Sequence, residues 1–171
     1  MCGIIGVIGH NKVSSLLIEG LKRLEYRGYD SAGIATLLNG KIDRRRSLGK
    51  IENLKRLLKK SPIKGNVGIG HTRWATHGIP SKINAHPHSS GDVAVVHNGI
   101  IENYDELRKK LEKKKFIFES DTDTEVIAHL ISYYLKKNLP PLNATITALK
   151  KVEGAFALGI IFSGINNYLI C

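Results

Sequence analysis

The sequence lacks several features that would place it in a class at once. Its 171 residues include two cysteines, one near each end, which excludes a disulfide framework and favours a reducing cytoplasm. No apolar run approaches 18 residues, so no membrane span is predicted. The apolar stretch at the N-terminus is short, broken by glycine and not preceded by basic residues, which argues against a signal peptide. The chain length predicts one well-cored domain.

Acidic residues are in the minority, and the net charge of +11 raises the question of a nucleic-acid partner. Almost no aromatic side chains lie near the basic clusters to stack on bases. We therefore interpret these clusters as a solvated basic face, on predicted helices or beside turns, and expect no nucleic-acid partner. An acidic partner domain is an alternative. The clusters are Arg44-Arg45-Arg46, Lys109-Lys110, Lys113-Lys114-Lys115 and Lys150-Lys151.

Strand and helix patterns alternate along the chain. Apolar and β-branched runs predict strands at residues 3–8, 32–38, 41–46, 67–71, 93–96, 154–162 and 168–171. Helical spacing predicts helices at residues 12–25, 51–59, from about 103, from about 122 to 134, and at 144–152. Asn39-Gly40 is a strong hairpin signal. The long loop at residues 72–91 is expected to be functional, because loops of this length are uncommon in compact domains.

The hairpins argue against a simple doubly wound sheet. The pattern instead favours an α+β fold with two stacked, mainly antiparallel sheets sandwiched between helix layers. Two of the helices begin with apparent capping boxes, in which a glutamate follows the capping residue by three positions. These segments are Asn103-Tyr104-Asp105-Glu106 and Thr122-Asp123-Thr124-Glu125.

The chain begins Met1-Cys2-Gly3. Methionine is removed ahead of a small residue, so the mature protein is expected to begin with Cys2, which then carries both a thiol and a free α-amino group. A free thiol is mostly protonated at neutral pH, and an α-amino group titrates near 7.7–8.0, so it can accept the thiol proton. This dipeptide by itself is weak evidence, because an early cysteine is more often a small buried residue.

Six segments in register give the dipeptide its meaning. They are the Cys2 strand, Glu25-Tyr26-Arg27-Gly28-Tyr29-Asp30-Ser31-Ala32-Gly33, His71-Thr72-Arg73-Trp74-Ala75-Thr76-His77-Gly78, Asn84-Ala85-His86-Pro87-His88, His97-Asn98-Gly99-Ile100-Ile101-Glu102-Asn103 and Thr122-Asp123-Thr124-Glu125. Together they resemble the glutaminase domain of the glucosamine-6-phosphate synthase family, the isomerising glutamine–fructose-6-phosphate aminotransferases. This family belongs to the N-terminal-nucleophile amidotransferases, and the resemblance runs from Cys2 to about Phe162.

The resemblance implies the N-terminal-nucleophile hydrolase fold, L-glutamine as substrate and a role for each matching residue. Cys2 would be the nucleophile with its α-amine as base, and Asn98 and Gly99 would form the oxyanion hole. Arg73, helped by Thr76 and His77, would bind the glutamine α-carboxylate, and Asp123 would bind the α-ammonium group. Trp74 would belong to a lid, and Arg27 would order the N-terminus. An arginine suits a carboxylate because its guanidinium group donates two parallel hydrogen bonds.

Five histidines raise the question of a metal site: His71, His77, His86, His88 and His97. They have no cysteine partners and no helical i, i+4 pairing, and a proline separates two of them. We therefore predict no metal and no cofactor. Most of these histidines are expected to be hydrogen-bonded structural residues around the long loop.

The family's glutaminase domain is longer and is followed by two sugar isomerase domains that bind fructose 6-phosphate. Residues 1–171 are therefore expected to form a partial domain, with fructose 6-phosphate binding only through domains absent here. An unpaired sheet edge would favour a partner chain or self-association. Three hypotheses follow: a glutaminase, an inactive truncated remnant, and a docking module for a partner that carries the isomerase domains. We favour the first.

Overall fold

The computed structural model describes residues 2–9 and 13–171 and contains two four-stranded antiparallel sheets. In chain order the strands are β1 (Gly3–Ile8), β2 (Ser31–Leu38), β3 (Lys41–Leu48), β4 (Val67–Arg73), β5 (His88–Ser90), β6 (Val93–Gly99), β7 (Phe156–Phe162) and β8 (Leu169–Ile170). The helices are α1 (Val13–Arg23), α2 (Ile51–Lys60), α3 (Tyr104–Glu112), α4 (Glu125–Leu135) and α5 (Pro141–Leu149), with a short 3₁₀ helix at Glu25–Arg27. The sheet orders are β1-β4-β2-β3 and β5-β6-β7-β8.

The core consists of three apolar layers. Side chains such as Leu37, Ile69 and Ile161 fill the space between the two sheets. Helices α1 and α2 pack on the outer face of the first sheet, where Leu17 is fully buried. Helices α3 to α5 cover the outer face of the second sheet, where Ile127 is fully buried. The burial of each such side chain stabilises the fold by about 2 kcal/mol. The two stacked antiparallel sheets between helix layers confirm the predicted α+β sandwich.

Several predicted element bounds were wrong by a few residues. Strands β4 and β6 run on to Arg73 and Gly99, because β4 stays paired with β2 and β6 with β7 to that point. The last helix begins at Pro141 and not near residue 144, since proline fits the first turn, where its missing N–H is not needed. The predicted helix at 12–25 is present from Val13 to Arg23, and position 12 lies outside the described residues.

Both predicted capping boxes were wrong. Asn103 occupies the capping position of α3, but its side chain does not cap the helix. Helix α4 begins at Glu125, so Thr124 and not the predicted Thr122 occupies its capping position, and that side chain does not cap the helix either. The Asn103 amide instead donates to the Lys151 carbonyl (2.9 Å) and accepts from the Glu153 N–H (3.1 Å). Thr124 bonds to histidines. Both polar side chains therefore join segments that are distant in sequence.

The interpretation of Arg44-Arg45-Arg46 as part of a solvated basic face was also wrong. These residues lie on β3, and their guanidinium groups donate to backbone carbonyls. Arg44 bonds to Pro87 (2.9 Å), Arg45 to Ser61 (3.0 Å) and Arg46 to Ala85 (3.0 Å). Burial lowers the pKa of Arg46 to about 10, so the group remains charged at neutral pH. Two of the three arginines thus anchor the loop before β5.

Among the described residues, no helix is long and apolar enough to cross a membrane. Within residues 2–9 and 13–171, no group of three histidine, cysteine, aspartate or glutamate side chains is arranged to hold a metal ion. Both cysteines are free thiols. The absence of a cofactor and of a nucleic-acid partner stays a prediction.

Candidate active site

The pairing of β1 with β4 carries Cys2 to the start of the long loop. Gly3 lies opposite Thr72, and its N–H donates to the Thr72 hydroxyl (3.0 Å). Cys2 therefore lies beside Trp74, whose backbone N–H donates to the Cys2 sulfur (3.2 Å). The same sulfur is 3.6 Å from the Trp74 carbonyl oxygen. The thiol is thus held by the backbone of a single loop residue.

The pKa of the Cys2 thiol is raised above its ordinary value. Burial is the main cause, and the negative charge of Asp30 adds to it. The Trp74 N–H and the positive charge of Arg73 act in the opposite direction but do not outweigh burial. The thiol is therefore protonated at neutral pH, and a base is needed to form the nucleophilic thiolate.

Arg73 is the last residue of β4, and its side chain is buried beside the cavity. Its Nη2 atom donates to the carbonyls of His77 (2.5 Å) and Gly78 (2.9 Å). Its Nη1 atom lies 3.7 Å from the Asp30 carboxylate. The guanidinium group thus folds the loop back on itself and keeps its charge at the cavity wall.

Asp30 is a residue to which the sequence analysis gave no role. Its carboxylate accepts from the Ala75 N–H (2.5 Å), and its own N–H donates to the Arg73 carbonyl (2.7 Å). These two bonds bracket Trp74 and fix the backbone that holds the Cys2 sulfur. The signal that could have found Asp30 is its place in the run Tyr29-Asp30-Ser31, directly before a predicted strand.

The end of β6 brings Asn98 and Gly99 to the same cavity. The Asn98 amide lies 3.4 Å from the Cys2 carbonyl oxygen, to which it donates. Gly99 has a φ of +141°, and a Cβ there would lie 2.1 Å from the Ala155 carbonyl oxygen. This position therefore requires glycine. The side-chain amide and the strand end lie beside the nucleophile from the second sheet.

Asp123 lies just before α4 and is 4% exposed. One carboxylate oxygen accepts from the Ile101 N–H at 2.9 Å, and the other is 3.5 Å from the Thr124 hydroxyl. A carboxylate can accept about four hydrogen bonds, so Asp123 retains accepting capacity on its cavity side.

The loop after β4 supplies the rim of the cavity. Trp74 is 54% exposed, and its ring packs so closely on Gly28 that a Cβ there would lie 2.8 Å from it. The His77 ring lies edge-on to the Tyr104 ring, with 5.0 Å between their centroids. Thr76 is exposed beside it. The rim therefore joins the 3₁₀ segment, the long loop and the start of α3.

These elements enclose a cavity of about 350 Å³. Eight of the nine residues named from the sequence line it: Cys2, Arg73, Trp74, Thr76, His77, Asn98, Gly99 and Asp123. Arg27 does not. It is exposed on the 3₁₀ helix, where its Nε donates to the Tyr26 hydroxyl (3.2 Å). The cavity is also lined by His86, His97, Ile100, Thr122 and Thr124, to which the sequence analysis gave no catalytic role.

The sandwich of two antiparallel sheets, with a cysteine directly before the first strand, is the fold of the N-terminal-nucleophile amidotransferases. The model of the glutamine amidotransferase domain family matches residues 71–170. The chain belongs to this family. The structure is similar to that of the glutamine phosphoribosylpyrophosphate amidotransferase of B. subtilis, with a TM-score of 0.80 and 29% identity. That match covers 95% of this chain and 35% of the other.

Two curated relatives that match nearly the whole of this chain have the same name. The chain is 56% identical over 170 residues to a glutamine–fructose-6-phosphate aminotransferase (isomerizing) of Mesorhizobium japonicum. It is 55% identical over 171 residues to a protein of the same name from Gluconobacter oxydans. Each match covers 99% of this chain but 28% of the relative. The chain thus spans little more than a quarter of the length of these relatives.

Proposed function

We propose that residues 1–171 supply a type 2 glutamine amidotransferase domain that hydrolyses the glutamine side-chain amide through Cys2. The observation that carries this proposal is the cavity. It brings a thiol, a guanidinium group, a carboxylate and an amide together from four separate segments of the chain. This set matches what amide hydrolysis needs: a nucleophile, charge partners for an amino acid and donors for an oxyanion.

In the first step the Cys2 sulfur attacks the side-chain amide carbon. Removal of Met1, which lies outside the described residues, frees the α-amine of Cys2 to take the thiol proton and pass it to the departing nitrogen. A carbon–sulfur bond forms and the carbon–nitrogen bond breaks, releasing ammonia. Water then attacks the thioester and gives a proton to the α-amine. The carbon–sulfur bond breaks, the amine returns the proton to the sulfur, and glutamate leaves.

The negative charge that develops on the amide oxygen needs donors in place beforehand. The Asn98 side-chain amide and the Gly99 N–H serve as these donors, because both line the cavity beside the nucleophile. One such donor stabilises the transition state by about 3–4 kcal/mol. The hydrogen bond from Asn98 to the Cys2 carbonyl holds the oxyanion donor beside the nucleophile.

The amino-acid head of glutamine is bound by the two buried charges. Arg73 pairs with the α-carboxylate, assisted by Thr76 and His77 on the same loop, and Asp123 pairs with the α-ammonium group. Trp74, whose ring packs on Gly28, acts as the lid. Arg27, on the adjoining 3₁₀ helix, orders the N-terminus.

The relatives are named for fructose 6-phosphate, so we further propose that the released ammonia serves amino-sugar synthesis in the cytoplasm. Fructose 6-phosphate would bind to isomerase domains in the part of the relatives that this chain does not cover. An incomplete domain whose edge is covered by a partner chain or a second copy stays a prediction. No observation favours an inactive remnant or a docking module.

The test is the intact mass of the chain before and after incubation with 6-diazo-5-oxo-L-norleucine, a reactive glutamine analogue. We expect loss of Met1 and one adduct that maps to Cys2 and is blocked by excess glutamine. Cys171→Ala is the matched control, because it removes the other free thiol and should leave labelling and glutaminase turnover unchanged. Cys2→Ala should abolish both.

Two results would contradict the proposal. The first is a chain that has lost Met1 but forms no adduct, which would favour a remnant or a docking module. The second is normal turnover by a variant with alanine inserted between Met1 and Cys2, because that variant has no α-amine on the cysteine. A matched variant with alanine inserted between Gly164 and Ile165, in the turn before β8, controls for the effect of an insertion.

A further inference from the structure

A continuous hydrogen-bonded chain of four buried side chains forms part of the cavity wall, to which three of them contribute. The Nδ1 atoms of His71 and His86 are 2.9 Å apart. The Nε2 atom of His86 is 2.7 Å from the Thr124 hydroxyl, which is 2.8 Å from Nδ1 of His97. None of the four is more than 5% exposed. The predicted hydrogen bonding of most of the histidines is thus confirmed, and Thr124 joins His86 to His97.

Each end of this hydrogen-bonded chain lies within two residues, along the sequence, of a residue of the proposed site. His71 is on β4, two residues before Arg73, and His97 is on β6, directly before Asn98. Thr124 directly follows Asp123. The hydrogen bonds therefore connect both sheets and the start of α4 at the points where the carboxylate, ammonium and oxyanion partners are attached.

The Thr124 hydroxyl has a single proton. It can donate to one imidazole and accept from the other, or donate to the Asp123 carboxylate 3.5 Å away and accept from both. A neutral imidazole likewise has one N–H and one lone pair. In each arrangement the Thr124 hydroxyl links the tautomers of His86 and His97. Burial, aided by the neighbouring positive charges, lowers the pKa of His71 to about 3 and that of His86 well below its usual value. The rings are thus neutral at physiological pH.

We propose that Thr124 is a positioning residue that sets the distance between the ammonium-binding carboxylate and the oxyanion donors by bonding both His86 and His97. This inference rests on the proposed glutaminase reaction. Without the hydroxyl, two buried ring nitrogens lose their partner, and the start of α4 loses its link to the end of β6. Asp123 and Asn98 then shift relative to each other.

The test compares the glutaminase kinetics of Thr124→Val and Thr124→Ser. Valine keeps the shape but not the hydroxyl, whereas serine keeps the hydroxyl but not the methyl group. We expect valine to lower kcat/KM by about tenfold or more, through both kcat and KM, since sub-ångström misplacement of reacting groups is costly. Serine should stay within about threefold of the wild type, although it leaves a small cavity.

The matched control is Thr145→Val. Thr145 is 1% exposed, and its hydroxyl bonds to the Pro141 carbonyl (2.8 Å) within α5, away from the cavity. This variant should lose a buried hydrogen bond without changing kcat/KM. An effect of Thr124→Val no larger than that of Thr145→Val would overturn the positioning role, because it would show only general destabilisation.

A second measurement does not depend on activity. In protein labelled with ¹⁵N at histidine, the ring-nitrogen shifts of His86 and His97 report which nitrogen carries the proton. Thr124→Val should change both rings together, and Thr124→Ser should preserve the wild-type pattern. Unchanged shifts in the valine variant would also overturn the proposal. Absence of turnover and of Cys2 labelling in the wild type would instead overturn the proposed function, and the positioning role with it.

Discussion

Two polar regions meet at the start of α4, and each contains one carboxylate. Asp123 faces the cavity and Glu125 faces the backbone of residues 119–120, and the two are 4% and 3% exposed. Asp123 accepts one short hydrogen bond from the Ile101 N–H. Glu125 accepts from the N–H groups of Glu119 (2.9 Å) and Ser120 (2.7 Å) and from the Ser120 hydroxyl (2.6 Å). The two carboxylates are therefore equally buried, but Glu125 accepts more hydrogen bonds from the protein than Asp123 does.

This difference separates a binding group from a structural one. Burial would raise the pKa of Glu125, but the neighbouring His129, Glu119 and Ser120 groups outweigh it and lower the pKa to about 2. Glu125 has little accepting capacity left for a ligand. Asp123 keeps acceptor positions toward the cavity. A carboxylate that is buried but incompletely satisfied is the one suited to bind a cationic group.

The largest expected effect is on glutamine binding in Asp123→Asn. The amide can still accept from the Ile101 N–H, so the fold should be kept, but the negative charge opposite the α-ammonium group is lost. A charge-assisted hydrogen bond contributes up to about 3 kcal/mol, which corresponds to a rise in KM of about 100-fold. Steady-state glutaminase kinetics measure this rise, and the urea midpoint shows whether stability is retained. An unchanged KM would place the ammonium site elsewhere.

Glu125→Gln should show the opposite pattern. The new NH₂ group faces donors that need an acceptor, so buried hydrogen bonds are lost in a place that water does not reach. We expect the free energy of unfolding to fall by about 2–4 kcal/mol, while KM for glutamine changes only a few-fold. Urea denaturation at pH 7 measures the loss. A variant as stable as the wild type but with a raised KM would remove the distinction between the two carboxylates.

Parts of this architecture could be predicted from the sequence, and the reasons differ by residue. Strand β1 was placed at its observed bounds, because its apolar run is local information. The site residues were found through a resemblance in ordered motifs. The roles of Asp30 and Thr124 were missed, and Glu125 was taken for part of a capping box. The partners of Asp30 and Thr124 lie on other elements, so no local pattern could reveal them. Glu125 accepts from Glu119 and Ser120, just before α4, and the motif alone does not distinguish these partners from a helix cap.

The buried histidines should make the stability of the fold depend on pH in a different range from Glu125. The pKa of His71 and that of His88 are lowered to about 3, mainly by burial, whereas an unfolded histidine titrates near 6.5. Below pH 6.5 the unfolded chain therefore binds protons that the folded chain does not, and stability falls as pH is lowered toward 3. Each of these histidines should cost roughly 1 kcal/mol per pH unit in that range.

Urea midpoints at pH 7.5, 6.5 and 5.5 measure this loss. Glu125 provides the contrast, because its folded-state pKa lies near 2 and its contribution is lost only as the pH falls from about 4.5 toward 2. The histidines should therefore lower stability alone between pH 6.5 and about 4.5, and Glu125 should add to the loss only below that pH. Constant stability between pH 6.5 and 5.5 would mean that the histidine rings can bind protons within the fold.

The smallest expected effect is at the start of α3, where another predicted cap has a distant partner. The Asn103 side chain makes two hydrogen bonds to the backbone of Lys151 and Glu153, so Asn103→Ala should lower the free energy of unfolding by about 1–2 kcal/mol. Asn143→Ala, at an exposed position in α5, is the control and should stay within about 0.5 kcal/mol. Equal effects of the two substitutions would mean that the Asn103 amide adds no stability through its contacts with the 151–153 segment.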